Sequence, residues 1–315
     1  MLANIVVAML ALLYSSASQA QGDYPLRGSW DRPPADEVKV EGGIRFWYSS
    51  GKNHKTLFDQ SGALQISKLS WTGETGKSAE AFFSITQSGV FARGYFGLGS
   101  LGGGNLQDED FPPVIAPYSS TDSIAKDGRL RYANLDIGYY LLDTTIGKLG
   151  PFVGYHFYGE KMNANGCTQT ATNPAICVPG ISSAVRVITE KDDWYSFRVG
   201  VAGEFNIAPN WKISGDAAYL PYVKLKGFDT HWLRLGIDFS GPIPETAHGT
   251  GMQFEGVLTY NFNDYFNIGV GGRYWRMAAP HGQAHFDEVT LGGSAQKIKF
   301  ETSRYGAFVQ LGLKY

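Results

Sequence analysis

The sequence predicts an all-β protein, a ten-stranded antiparallel transmembrane β-barrel. Three observations support this fold class: polar and apolar residues alternate over long segments, the connections alternate between short and long, and the chain starts with an export signal. Outer-membrane barrels combine these three properties. A closed sheet suits a membrane because it leaves no backbone polar group unpaired in lipid.

The alternation has a period of two. In "RYGAFVQLGLKY" at 304–315, one face carries Tyr, Ala, Val, Leu, Leu and Tyr, and the other carries Arg, Gly, Phe, Gln, Gly and Lys. Successive side chains of a strand point to opposite faces, so this pattern predicts a strand with one apolar face. A soluble sandwich also alternates. The barrel is favoured because the segments exceed the usual five or six residues and aromatic residues gather at strand ends, as around 260–266.

The connections set the number of strands. Short turns are predicted at 87–89, 143–148, 208–210 and 263–265, and longer outer loops at 54–61, 104–128, 163–190, 226–250 and 280–297. Four turns and five loops require ten strands. We expect these at 38–53, 62–86, 90–103, 129–142, 148–162, 191–206, 211–225, 251–262, 265–279 and 298–315. Residues 38–315 thus form one predicted barrel domain.

The N-terminal residues and the composition indicate the location and the partners of the protein. Residues 1–20 carry an apolar run followed by small residues, with Ser18 and Ala20 before a plausible cleavage point, which predicts a signal peptide. Residues 21–37 are predicted to be an irregular periplasmic leader. The net charge of −2 argues against a nucleic-acid partner, which needs a basic patch. We expect a monomer in the outer membrane.

The two cysteines, Cys167 and Cys177, lie ten residues apart in a polar segment. In an exported chain such a pair predicts a disulfide. The alternative is a pair of free thiols with a catalytic or metal-binding role, but no His or acid lies in the same segment.

Two polar pairs carry the candidate chemistry. Asp108 and Asp110 are two residues apart, so on an extended segment they share a face and Glu109 points away. Asp229 and His231 form a second pair, and a carboxylate beside an imidazole can orient it as a general base. We place the pairs just past the outer ends of the third and seventh strands. Each pair alone could equally be a solvated loop or, for the aspartates, a weak Ca²⁺ site.

The predicted interior excludes a wide channel. Barrels of about eight strands are filled by their own side chains, and open channels appear at sixteen or more. Asp136, Asp216, Glu255 and Arg273 fall on the inward pattern and predict a lumen closed by salt bridges. The remaining classes are an enzyme, an adhesin or binding barrel, and a structural anchor.

Several segments, in chain order, resemble one family. These are "YSSGKNHK", "ISKLSW", "GYFGLGSLGGGNLQDEDF", "LRYANLDI", "FDTHW" and "GLKY". Over residues 38–315 the chain resembles the omptins, outer-membrane aspartic-type endopeptidases with an extracellular active face. The resemblance implies that Asp108 and Asp110 position a water, and that His231, oriented by Asp229, accepts its proton. It implies peptide or protein substrates, no metal and no cofactor, and an association with outer-membrane lipopolysaccharide.

The chain also departs from the family. Two acids of the substrate pocket correspond to Lys55 and Gly227 here, so the resemblance implies an altered specificity rather than a preference for basic residues. The family binds lipopolysaccharide through basic residues on the outer wall, and the corresponding positions fall near Gly159 and Asp193, which do not fit; Lys161 is the alternative basic residue. The glycines of 99–104 are expected to leave space for a substrate at the mouth. A non-catalytic barrel that serves as adhesin, receptor or surface-binding protein remains the alternative.

Overall fold

The computed structural model describes residues 38–111, 116–287 and 295–315. These residues form thirteen antiparallel strand segments: β1 (Lys39–Phe58), β2 (Gln65–Gln87), β3 (Val90–Gly102), β4 (Asn105–Asp110), β5 (Ser119–Ala125), β6 (Gly128–Tyr139), β7 (Leu142–Asp143), β8 (Gly147–Gln169), β9 (Ile181–Ala208), β10 (Trp211–His231), β11 (Ile243–Asn261), β12 (Phe266–His285) and β13 (Ala295–Lys314). The predicted signal peptide at 1–20 and leader at 21–37 lie outside the described residues. No helix in the described ranges is long and apolar enough to cross a membrane.

The segments close into a ring of ten strands. β1 pairs with β2 on one side and with β13 on the other, which joins the first strand to the last. β3 and β4 are consecutive parts of the third barrel strand, because both pair with β2. β5 and β6 are likewise the fourth strand, because both pair with β8. The short β7 pairs with β8 in a turn. The ring confirms the predicted ten-stranded barrel.

The strands extend further from the membrane than the sequence predicted. The expected loop at 104–128 contains β4 and β5, and β8, β9 and β10 continue well into the other expected loops. The prediction was wrong there because alternation fades where both faces of a strand meet polar surroundings, although the backbone pairing continues. Asp108, Asp110, Asp229 and His231 therefore lie on strands and not in loops.

The glycine-rich segment allows the backbone to make a tight turn. Gly103 and Gly104 have φ angles of 72° and 77°, a region that favours glycine. A Cβ on Gly104 would lie 2.2 Å from the carbonyl oxygen of Thr72. Together they turn the chain from β3 into β4. The expectation that the glycines of 99–104 leave open space is not met at Gly99 and Gly104, where an added Cβ would lie 2.4 Å and 2.2 Å from backbone oxygens, whereas a Cβ on Gly102 would meet no atom within 4 Å.

Exposed apolar side chains form a band on the outer wall, on the half of the strands next to the short turns. They include Ile44, Phe46, Tyr48, Leu135, Ile137, Val153, Val199, Val201, Tyr222, Val270, Val309 and Leu311. Such a band is typical of a lipid-facing surface. Lys55, Glu190, Asp229 and Glu245 lie beyond it, on the strand ends that lead into the long loops. The mouth of the barrel thus stands outside the membrane-spanning part.

Ion pairs fill the lumen at the level of this band. Arg45 and Arg273 both contact Glu80 and Glu255 at 2.6–3.0 Å. A second quartet joins Arg93 and Arg198 to Asp136 and Asp216 at 2.8–3.2 Å. Packed rings of Trp47, Tyr132 and Trp275 add to this plug. The predicted salt-bridged lumen is confirmed, and it gives no support to a channel.

The third outer loop is cross-linked. Cys167, near the end of β8, is bonded to Cys177 with an S–S distance of 1.98 Å. The predicted disulfide is confirmed, and it ties the loop at 170–180 to the strand from which it leaves.

Candidate active site

The two predicted polar pairs line one cavity at the barrel mouth. β4 and β10 belong to the third and seventh strands of the ring, so they approach the mouth from nearly opposite sides. Asp108 and Asp110 come from β4, and Asp229 and His231 from β10. The cavity has a volume of about 120 Å³ and opens to solvent. The structure thus brings together two pairs of residues that lie more than a hundred positions apart in the sequence.

β4 presents its two aspartates because of strand alternation. The segment pairs with β2 on one side and β5 on the other, and this fixes its register. Asp108 and Asp110 face the cavity with Ser67 and Leu69 of β2 beside them. Glu109 points the other way and lies 3.9 Å from Lys68, outside the cavity. A strand holds carboxylates more firmly than the exposed loop that we expected.

β10 presents the second pair by the same alternation. Gly227, Asp229 and His231 follow one another on its inward face. The Nε2 atom of His231 lies 3.1 Å from Oδ2 of Asp229. Phe239, in the loop after β10, packs its ring 5.7 Å from the imidazole. Asp229 is buried and His231 is 17 % exposed in its side chain, so only the imidazole of this pair reaches solvent.

Lys55 lies beneath the pair as the floor of the cavity. Its Nζ donates hydrogen bonds to Glu190 at 2.5 Å, to Asp229 at 2.7 Å and to Glu245 at 3.1 Å. The side chain is 4 % exposed. Lys55 thus lines the cavity as a buried ion-pair partner of Asp229, and its role as a substrate-pocket residue stays a prediction.

Sequence reasoning missed Glu190 and Glu245. Both fell in segments that we took for loops, whereas they lie on the inward faces of β9 and β11. Each of these acids stands shortly before a predicted strand, at a position that the period-two pattern of that strand would turn inward. An extension of the pattern to these positions could have found them. A buried lysine requires such partners.

Gly227 does not line the cavity. It lies one inward position below Asp229, where an added Cβ would come within 2.6 Å of Oδ1 of Asp192. The prediction of a substrate-pocket residue at Gly227 was wrong in this respect, because Asp192 and not a substrate side chain occupies the space beside it.

Burial controls the charge of the β4 pair. It raises the pKa of Asp108 to about 7, with His231 opposing the rise and Asp110 and Asp229 adding to it. Burial also raises the pKa of Asp110, against a hydrogen bond from Ser67 and the charge of Arg234. Near neutral pH, Asp108 and Asp110 can therefore hold one proton between them.

In the dyad formed by Asp229 and His231, the pKa of the carboxyl group is lowered and not raised. Burial acts to raise the pKa of Asp229, but His231 and Lys55 outweigh it and hold that pKa well below its usual range. Burial acts to lower the pKa of His231, but the charge and hydrogen bond of Asp229, with Asp108, raise it above its ordinary value. Asp229 is thus a fixed anion beside a basic imidazole.

The floor carries excess carboxylate. Burial raises the pKa of Glu190, as does the charge of Glu245, and burial raises the pKa of Glu245 to about 7. Oxygens of Glu190, Asp192 and Glu245 lie within 4.8 Å of one another, a spacing that could hold a metal ion. Lys55 already donates to two of these three carboxylates and supplies the positive charge that a cation would bring.

Comparison with known proteins agrees with this architecture. The chain is similar to the crystal structure of the outer membrane protease OmpT from Escherichia coli, with a TM-score of 0.69 and 15 % identity over 88 % of this chain and 97 % of that one. Its similarity to the translocator domain of the autotransporter NalP from Neisseria meningitidis is much weaker, with 11 % identity and a TM-score of 0.32 over 97 % and 95 % of the two chains. No curated protein matches the chain in sequence.

The omptin family model matches residues 37–315, nearly the whole of the barrel and its loops. A barrel with an outer apolar band, a plugged lumen and a cavity of carboxylates and imidazole at its mouth fits that assignment. The chain therefore belongs to the omptin family, which implies an outer-membrane β-barrel protease.

Proposed function

We propose that this chain is an endopeptidase that hydrolyses peptide bonds at the extracellular mouth of the barrel. A water held between the aspartates of β4 and the dyad of β10 attacks the peptide carbonyl. The observation that carries the proposal is that Asp108, Asp110, Asp229 and His231 line one solvent-open cavity.

The geometry supports a division of roles. Asp229 stays ionised and accepts the hydrogen bond of Nε2, which leaves Nδ1 of His231 to take the proton of the attacking water. Asp108 and Asp110 position that water from the opposite side. Asp108, with a pKa of about 7, can give a proton to the leaving amine near neutral pH. No covalent intermediate is part of this scheme.

A peptide-library assay tests the proposal. The barrel is reconstituted in membranes that contain lipopolysaccharide, and the library is offered to the native chain and to His231→Ala, Asp108→Asn and Glu109→Gln. We expect cleavage by the native chain, its loss in the first two variants, and its retention in the third. Glu109→Gln is the matched control because Glu109 neighbours Asp108 but points out of the cavity.

The assay also decides between the two function classes. If the folded native chain cleaves no peptide, or if cleavage survives His231→Ala and Asp108→Asn unchanged, the proposal is wrong. The chain is then a non-catalytic barrel, and its mouth serves to bind a surface partner.

Lipopolysaccharide is the proposed lipid partner. Four basic residues, Arg129, Arg131, Lys161 and Lys191, surround a cleft on the outer wall. The cleft also includes the predicted positions Gly159 and Asp193, where Asp193 accepts a hydrogen bond from Arg131 at 2.8 Å. The clustered positive charge supports binding of lipid phosphates. We expect peptide cleavage in detergent to rise when lipopolysaccharide is added, and Lys161→Ala with Lys191→Ala to weaken that response.

A further inference from the structure

We propose that the cavity accepts an uncharged, apolar side chain of the substrate, because Lys55 already occupies the cation position on its floor. The inference rests on the proposed peptidase function and names the substrate class of the same site. Two features carry it: the saturated ammonium group and the apolar wall.

The ammonium of Lys55 has no donor left for a substrate. An ammonium carries three N–H groups, and this one reaches three carboxylates, of Glu190, Asp229 and Glu245, from three neighbouring strands. All four side chains are at most 5 % exposed. The carboxylates of the floor are thus covered by Lys55, which occupies the position that a cationic substrate side chain would take.

The wall above the floor is apolar. Six hydrophobic side chains line it: Leu57, Leu69, Phe239, Ile243, Phe286 and Ile298. Phe239 and Phe286 come from two different outer loops, and their rings lie 6.2 Å apart. Such a wall favours an aliphatic or aromatic side chain by removing its surface from water.

An arginine stands at the rim of the cavity. Arg234 lies over the ring of Phe239, 4.6 Å from its centroid, and forms an ion pair with Asp238 at 2.7 Å. A lysine or arginine side chain that enters the cavity finds the carboxylates of the floor already bound by Lys55. An apolar residue, which needs no counter-charge there, is favoured.

A matched peptide series tests the inference on the native chain. Peptides with identical flanks carry Leu, Phe, Lys or Arg at the varied position beside the scissile bond, and kcat/KM is measured for each. We expect at least a tenfold preference for Leu or Phe over Lys or Arg. If the native chain cleaves but favours Lys or Arg, the inference is overturned and the peptidase proposal stands. If it cleaves no peptide, both fail.

Removal of Lys55 gives the second test. Lys55→Ala exposes the carboxylates of Glu190 and Glu245 to the cavity, so cleavage beside Lys or Arg should gain at least tenfold relative to Leu. Lys55→Met keeps the volume filled and should show less of this gain. Folding is checked by the heat-dependent mobility of the barrel on gels. A folded Lys55→Ala variant with the native ratio of apolar to basic cleavage overturns the inference.

A wall variant keeps the test decisive if Lys55→Ala does not fold. Phe286→Ala shortens the apolar wall and leaves the ion pairs of the floor intact. We expect about a tenfold loss of kcat/KM for the Phe peptide and little change for smaller apolar residues. Phe58→Ala is the control, because Phe58 ends β1 outside the cavity and packs on Lys297 and Lys299. An unchanged Phe/Leu ratio in Phe286→Ala overturns the inference.

Discussion

The lumen and the mouth of this barrel both contain buried charges, but they balance them differently. In the lumen each quartet sets two arginines against two acids, and every member contacts two opposite charges. At the mouth one ammonium, that of Lys55, serves three carboxylates, and the aspartates of β4 lie above them. Equal numbers of opposite charges keep the side chains of the lumen ionised and fixed in place. At the mouth the carboxylates outnumber the ammonium, so protons can move between the carboxylates. Perturbed titration of this kind is typical of functional sites.

The largest expected effect comes from breaking the dyad at the mouth. Asp229→Asn removes the fixed anion that orients His231, and we expect kcat/KM to fall by roughly 10³-fold or more, as for other carboxylate–imidazole pairs. Steady-state cleavage of a fluorogenic peptide measures it, with Glu109→Gln as control. A loss of less than tenfold in a folded Asp229→Asn variant would contradict the role given to Asp229.

Breaking an ion pair in the lumen should lower the free energy of unfolding of the barrel. Glu80→Ala leaves Arg45 and Arg273 without one shared partner, and breaking a buried pair in this way costs about 3–5 kcal/mol. Urea unfolding in detergent micelles, followed by tryptophan fluorescence, measures the free energy of unfolding.

The activity of Glu80→Ala sharpens the comparison. The fraction of this variant that folds should cleave peptides at close to the native rate, because the quartet lies far below the cavity. A native free energy of unfolding combined with lost cleavage would reverse the roles assigned to the two regions.

The pH dependence of kcat/KM should report the protonation state of His231 at the mouth. His231 must be neutral to accept a proton, and its pKa is raised, so kcat/KM should fall as the pH drops through a value above 6.5. The fall is about tenfold per pH unit below that value. A profile that stays flat down to pH 6 would argue against His231 as the base.

An NMR titration of His231 separates the contributions. The negative charge of Asp108 is one cause of the raised pKa of His231. In Asp108→Asn we therefore expect the imidazole to titrate at a lower pH than in the native chain, and Glu109→Gln should leave it unchanged. An unshifted imidazole in Asp108→Asn would mean that the two strands do not interact across the cavity.

The smallest expected effect concerns the turn that delivers β4 to the mouth. Gly104→Ala introduces a Cβ against the backbone of Thr72 in a left-handed conformation, and should destabilise the barrel by about 1–3 kcal/mol. Gly102→Ala is the matched control, because a Cβ there meets no atom within 4 Å. Urea unfolding compares the two, and equal effects would remove the special role of Gly104.

The sequence predicted those features that depend on local pattern. Period-two alternation yields the ten strands, because it reflects lipid on one side and a packed lumen on the other. The disulfide follows from two cysteines in one segment. Asp108, Asp110, Asp229 and His231 could be singled out because each pair is local and faces one way.

The floor of the site could not be predicted in the same way. Lys55 meets Glu190 and Glu245 across 135 and 190 residues, and no local pattern relates them. The strand ends were missed because they rise out of the lipid, where the apolar face that marks a strand disappears. Gly227 was misplaced because matching by position does not show that Asp192 fills the space beside it.

The height of β10 has a consequence for what this chain can reach. His231 lies nine residues beyond Tyr222, a member of the apolar band on that strand. At about 3.3 Å per residue and a tilt of roughly 40°, this separation places the imidazole ~20–25 Å above the level of Tyr222. In the proposed function, a polypeptide must therefore project into the medium to reach the cavity. The height of the strands would then favour free extracellular chains over segments that lie on the bilayer or are inserted in it.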